Sequence, residues 1–190
     1  MHRTLIRRSS TYASVYRSSI EHPERFWSEQ AHKVFWFKKW KSVYNKDNLI
    51  RPHWFDGGQL NMTYNCLDRH IPKHGDQAAI IHDSAMTKKV TRVSYKQLLQ
   101  EVKTLANVLS KKYGVKKGDV VLIYMPMIPQ AITAMLACAR IGAIHTVVFG
   151  GFSSSELAVR IKHSQPKVLI SGKIERKFTG KELLKVYSFS

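Results

Sequence analysis

The stretch that most restricts the fold is 120–170, where continuous apolar runs alternate with helical patterns across short turns. Val120–Tyr124 is one such run, entered through Lys117-Gly118-Asp119. Pro129 and Gln130 then introduce a helix over Ala131–Ile141, and Gly142 closes it, because proline fits a first helical turn and glycine the residue past a last one. Ile144–Phe149 is a second apolar run. Ser153 and Glu156 have capping-box spacing and open a second helix over 154–164, which Pro166 stops before a final strand, Lys167–Ile170. Strands that are apolar on both faces and separated by single helices predict a βαβαβ unit. Its sheet is parallel, with right-handed crossovers and helices on both sides. The 120–151 stretch is apolar enough to raise a membrane span, but Pro126, Pro129, Gln130, Arg140 and His145 interrupt each window long enough to cross.

Upstream, the rhythm differs. Residues 59–76 read as a helix, with Asn61 a possible cap and Gly75 near its end. Ala78–His82 and Lys89–Val93 read as the strands of a hairpin. Ser94 and Gln97 form a capping box for the next helix, on which Tyr95, Leu98, Leu99, Val102, Leu105, Ala106 and Leu109 recur at three and four; Gly114 ends it. Residues 21–58 hold all four tryptophans, Trp27, Trp36, Trp40 and Trp54, among Phe26, Phe35, Phe37, Tyr44 and Phe55. Such an aromatic arm packs against other protein more often than it stacks nucleic-acid bases, although Lys33, Lys38, Lys39 and Lys41 lie alongside. No internal repeat and no Pro-rich or Gly/Ser-rich linker divides the chain.

Charge narrows the classes of partner. The 190 residues carry 31 Lys and Arg against 13 Asp and Glu, a formal net charge of +18, so anionic partners come to mind: nucleic acid, acidic membranes, phosphorylated substrates. The basic residues, however, are scattered singly and in pairs such as Lys88-Lys89, Lys111-Lys112 and Lys116-Lys117, without a nucleic-acid fold signature, so nucleic acid ranks last. Four arginines, Arg3, Arg7, Arg8 and Arg17, lie with five serines and no acidic residue in 1–20. That is the composition of an organellar import segment, and the body keeps most of the basicity. Cys66 and Cys138 are too few for a disulfide framework, which favours a reducing compartment.

Several patterns suggest chemistry. Gly150-Gly151-Phe152-Ser153-Ser154-Ser155 joins a strand to a helix and could cradle a phosphate, yet an ordinary turn and cap accounts for the same residues. Neither a G-x-x-x-x-G-K-[ST] loop nor a G-x-G-x-x-G is present. Cys66, His70 and His74 at i, i+4, i+8 hint at a metal but lack a fourth ligand. Cys138, among small residues, reads as a buried thiol. His145, in an apolar strand, reads as a packed, hydrogen-bonded histidine.

Longer strings carry a family resemblance. Trp54-Phe55-Asp56-Gly57-Gly58-Gln59-Leu60-Asn61 and Asn65-Cys66-Leu67-Asp68-Arg69-His70 resemble the N-terminal signature of the acetyl-CoA synthetases. The likeness continues through Lys117–Met127, Ala134–His145 and Val148–Ser153, in the same order from about Ser19 to Ser171. The chain thus resembles the short-chain branch of the AMP-forming acyl-CoA synthetases, with the 65–70 string and Gly150-Gly151 favouring acetate over propionate.

The resemblance implies the α/β fold of the adenylate-forming enzymes and a two-step ligation of acetate to CoA that consumes ATP with Mg2+. Small molecules are then the partners. It also implies that the Thr/Ser/Gly-rich phosphate loop, acyl pocket, ribose-binding Asp and catalytic Lys of that family have no matching residue here. No catalytic residue can therefore be named. Arg176, five residues after Ser171, matches a family arginine that touches CoA phosphates, though its surroundings are less glycine-rich than the family pattern. The expected organisation is an import segment at 1–20, a synthetase N-terminal arm at 21–76, an incomplete α/β domain at 77–171 and a divergent tail at 172–190. The expected location is the mitochondrial matrix, with the cytoplasm as the alternative. A non-catalytic binding module is the other functional reading.

Overall fold

The computed structural model describes residues 11–45, 47, 50–173 and 183–188, the last six and residue 173 by backbone alone. It divides into two compact units, Met1–Leu60 and Asn61–Ser190.

The larger unit is built around the alternation seen in the sequence. Strands β5 (Val120–Met125), β6 (Ile144–Phe149) and β7 (Val168–Lys173) are parallel, with β5 between the other two. Helix α6 (Pro129–Ile141) joins β5 to β6, and α7 (Ser154–Ser164) joins β6 back across β5 to β7. Because the two crossovers run in opposite directions along the sheet, the same handedness puts their helices on opposite faces. Side-chain parity shows this. Val121, Ile123 and Met125 pack with Val168 and Ile170 into the core shared with Ala131, Ala134, Ala137 and Cys138 of α6. Leu122 and Leu169 point the other way and meet Val148, Leu157 and Ile161.

Helix α5 (Tyr95–Asn107) thickens the first face, burying Leu98, Val102 and Ala106. Its capping box is complete, with Ser94 and Gln97 bonding each other's backbone amides. A π turn at Val108–Lys112 follows, and Gly114, at φ +62°, reverses the chain. Strands β3 (Ala78–Ser84) and β4 (Lys89–Ser94) form the expected antiparallel hairpin ahead of α5.

Four features depart from the sequence-based expectation. The helix expected over 59–76 is broken into α3 (Met62–Cys66), a 3-10 turn at Asp68–His70 and the short α4 (Ile71–His74). Pro72 cannot donate to the carbonyl of Asp68, so a continuous helix loses a bond there. The capping box at Ser153 forms only halfway: Ser153 Oγ accepts from the Glu156 N–H at 3.4 Å, but the Glu156 carboxylate turns to Arg160 at 2.8 Å. His145 is exposed, because β6 is an edge strand. Finally, the sheet has a fourth strand: β8 (Leu183–Ser188) pairs antiparallel with β7 and covers that edge. Among the described residues no strand pairs with the opposite edge, β6, where Val147 and Phe149 are about half exposed, at 50% and 57%.

The smaller unit holds α1 (Tyr12–Glu21), α2 (Pro23–Ala31) and an antiparallel pair, β1 (Ser42–Asn45) with β2 (His53–Asp56), that the aromatic composition did not reveal. Its rings pack on one another: Trp36 lies edge-on to Trp40 at 4.9 Å, and both meet Phe55 at 5.3 and 5.4 Å. Tyr44 and Trp54 pair across the two strands at 4.4 Å. Gly58 is where it is because a Cβ there would sit 2.7 Å from the Trp36 ring.

Candidate functional site

In an open parallel sheet, ligands sit beyond the carboxyl ends of the strands, where the strand order reverses. Here that place is the mouth formed by the loop after β5, the turn after β6 and the end of β7. The first two touch closely. The Gly150 N–H donates to the Met125 carbonyl at 3.1 Å, and a Cβ on Gly150 would lie 2.8 Å from the Pro126 nitrogen. No other residue type fits that approach without moving backbone. The Tyr124 hydroxyl donates to the Phe152 carbonyl at 2.7 Å and fixes the turn above its own strand. On the other side, Gly172 faces Pro126 and Ile128, and a Cβ on it would lie 3.6 and 3.7 Å from their side chains.

Some of the turn's donors are committed. Besides Gly150, the N–H groups of Phe152 and Leu157 donate to the carbonyls of Phe149 and Ser153, and that of Glu156 to Ser153 Oγ. The cation at this turn, Arg160, lies over the Phe152 ring at 4.4 Å and is paired with Glu156. The stretch 150–155 is thus a turn with a helix cap, in which the Gly150 and Phe152 amides are occupied within the protein.

Opposite this mouth, at the C-terminal end of α6, the resemblance strings acquire a physical role. Asn61 caps α3 by accepting from the Tyr64 N–H at 3.0 Å, while its amide nitrogen donates to the carbonyls of Ala139 and Arg140 at 3.3 and 3.0 Å. Thr63 Oγ1 donates to the Leu136 carbonyl at 2.7 Å. Arg140 grips Asp68 through both terminal nitrogens, at 2.8 and 3.0 Å. One side chain thus serves as N-cap to α3 and satisfies orphan carbonyls of α6, and a bidentate ion pair locks α6 to the turn that follows α3. Sequence spacing could not show this clasp, since its partners are more than seventy residues apart.

The remaining candidates separate in space. Cys66, His70 and His74 fall on three different short elements, and no group of three metal-ligating side chains occurs among the described residues. His70 instead lies 5.9 Å from the Tyr95 ring. The Cys138 thiol is fully buried on α6, and burial pushes its pKa up to about 12. Asp119, in the turn before β5, accepts from Lys167 Nζ at 2.9 Å and from the Lys116 N–H at 2.8 Å. The Lys167 hydrogen bond, and then that from Lys116, hold its carboxyl below the usual range. Arg176 lies outside the described residues. Among the described residues at the mouth, no cluster of three metal-ligating side chains is present to hold Mg2+.

The larger unit is thus a doubly wound α/β sheet whose ligand edge lies at the ends of β5, β6 and β7. Comparison with known proteins gives it a family. Residues 67–187 match the model of the AMP-binding enzymes, and residues 12–66 match that of the acetyl-coenzyme A synthetase N-terminus. The chain belongs to the AMP-binding enzyme family. It is 51% identical over 161 residues to the mitochondrial acyl-CoA synthetase short-chain family member 3 of Rattus norvegicus, covering 84% of this chain and 23% of that protein. It is 48% identical over 161 residues to acetyl-coenzyme A synthetase 2 of Pseudomonas putida, covering 84% and 25%. The structure of acetoacetyl-CoA synthetase from Streptomyces lividans superposes with a TM-score of 0.79 at 28% identity, covering 92% of this chain and 27% of that one. The chain spans about a quarter of the length of the curated relatives it matches, and the shared part is their N-terminal portion.

Proposed function

We propose that this chain is the N-terminal scaffold of an AMP-forming acetate–CoA ligase. In the whole enzyme, an acetate carboxylate attacks the α-phosphate of ATP, releasing pyrophosphate, and the CoA thiol then displaces AMP to leave acetyl-CoA. Propionate is the alternative acid. The observation that carries the reading is the continuous match of residues 12–187 to the synthetase N-terminus and AMP-binding models, on a fold with the switch-point geometry such a reaction needs.

The chain's own contribution is positional. The β5, β6 and β7 ends and the tight Met125–Gly150 contact set the shape of one wall of the nucleotide site. Catalytic groups come from elsewhere in the enzyme. ATP, CoA and Mg2+ belong to the complete protein, and Arg176 is the residue of this chain assigned to CoA phosphate. The mitochondrial matrix is the proposed location, supported by the Arg- and Ser-rich start and by the mitochondrial relative at 51% identity. Bacterial relatives of similar identity support a cytoplasmic enzyme equally well on family grounds.

Acetate-dependent exchange between ATP and labelled pyrophosphate tests the division of labour. The 190-residue chain is expected to give no exchange above blank, and exchange by the chain alone would overturn its role as scaffold. Calorimetry with CoA, comparing the chain with Arg176→Ala, tests the CoA assignment; equal binding by both removes it.

A further inference from the structure

The turn between β6 and α7 is held more tightly than the join of a strand to a helix requires. Helix α7 begins on its own cap, Ser153, whose Oγ accepts from the Glu156 N–H. Three further constraints act on the residues just before it. The Gly150 N–H ties the backbone to the Met125 carbonyl at 3.1 Å. Gly151 lies against the Phe149 ring, where a Cβ would come within 2.6 Å of a ring carbon. The Tyr124 hydroxyl, reaching up from β5, donates to the Phe152 carbonyl at 2.7 Å. The Tyr124 ring packs against the cluster of Leu122, Val148 and Leu169, so that hydroxyl stands on a post fixed from below. Packing from α7 does not replace these constraints, because Leu157 and Ile161 meet the same cluster only partly buried.

We propose that Tyr124 is a positioning residue of the ligation: through the Phe152 carbonyl it holds the 150–153 turn where that turn meets the adenosine-phosphate part of a substrate, ATP or CoA. The inference rests on the ligase reading, which supplies both substrates. The turn stands at the carboxyl edge of the sheet, beside the reversal of strand order, where ligands of such sheets sit. A turn left free there has to be ordered as the ligand arrives, and that cost is taken from affinity. A turn held in advance avoids it. Loss of the post therefore weakens substrate binding and leaves turnover of the bound complex close to normal. Of the three constraints, the Tyr124 hydroxyl is the one that a single-atom change removes.

Tyr124→Phe deletes that oxygen and keeps the ring. Thr63→Val is the control, since Thr63 Oγ1 makes the same hydroxyl-to-carbonyl bond, to Leu136 at 2.7 Å, away from the mouth. Both are placed in a chimera in which residues 12–187 replace the matching segment of the Pseudomonas putida synthetase. Acetate-dependent ATP–pyrophosphate exchange, run without CoA, gives the KM for ATP, and full ligation with CoA varied gives the KM for CoA. Tyr124→Phe is expected to raise at least one of these by about fivefold, the scale of one neutral hydrogen bond, with kcat within about twofold. The substrate whose KM rises is the one that meets the turn. Thr63→Val is expected to lower the thermal midpoint and move neither KM. Unchanged KM values in Tyr124→Phe, or the same rise in both variants, overturn the proposal and leave the ligase reading standing. A folded but inactive chimera of unaltered sequence removes the ligase reading and the proposal with it. In the 190-residue chain itself, Tyr124→Phe is expected to speed amide hydrogen exchange at 150–153 by about fivefold. Unchanged exchange overturns the proposal at its first step, because the hydroxyl would not be what holds the turn.

Discussion

The two cysteines sit in opposite chemical situations. Cys138 is fully buried with its thiol pKa at about 12, while Cys66 is exposed. At pH 8 Cys138 therefore stays a thiol, and the nucleophile is the thiolate. A thiol reagent is therefore expected to label one cysteine per folded chain, and two in denaturant; two fast equivalents in the folded state would contradict the packing of α6. Asp119 gives a pH signature. Its carboxyl is held low in the native state, so its contribution is complete above the ordinary value of 3.8 and is lost as pH falls through the lowered native one. Asp119→Asn should lower the melting temperature at pH 7, with the difference shrinking below pH 3.8. At Gly150, alanine would place its methyl 2.8 Å from backbone. The expected cost is about 1–3 kcal/mol in a denaturant melt. The glycine was visible in the sequence as a turn residue, but its actual constraint, contact with the Met125–Pro126 backbone, is a tertiary fact.

At the scale of elements, local signals were readable and long-range ones were not. The Ser94–Gln97 capping box and the Pro129 and Gly142 boundaries of α6 follow from bonds within four residues. Glu156 shows the limit of that logic, because its carboxylate had two partners in reach and bonded Arg160 four residues on. The break at Pro72 was legible, and reading 59–76 as one helix gave its missing N–H too little weight. The clasp of Asp68 on Arg140 lay beyond any spacing rule. Its side chains are only 16% and 26% exposed, so removing one partner strands a charge in partial burial. Asp68→Ala is expected to cost about 2 kcal/mol, and a double-mutant cycle with Arg140→Ala should return a coupling of about 1–2 kcal/mol. Additive single effects would mean that the pair is incidental to holding the α3 region on α6.

At the scale of the whole molecule, the parallel unit could be read because its strands are apolar on both faces and its helices carry clear boundaries. The strand β8 could not, since nothing in the run Leu183–Ser188 names its partner and its pairing with β7 is antiparallel across the intervening residues. The mouth of the sheet was locatable by the switch-point rule alone, but its shape was not, because the contacts that set it, Gly150 on Met125 and Tyr124 on Phe152, are tertiary. Net charge pointed first to nucleic acid; the family match puts that basicity on a member of the AMP-binding enzyme family instead. If this chain is an interchangeable N-terminal scaffold of a short-chain acyl-CoA synthetase, it should work in a relative's body. The direct measurement is acetate-dependent ATP–pyrophosphate exchange by a chimera in which residues 12–187 replace the matching segment of the Pseudomonas putida synthetase. Exchange within about tenfold of the parent enzyme is predicted, a loss of no more than about 1.4 kcal/mol in transition-state stabilisation. A folded chimera with no exchange would contradict it.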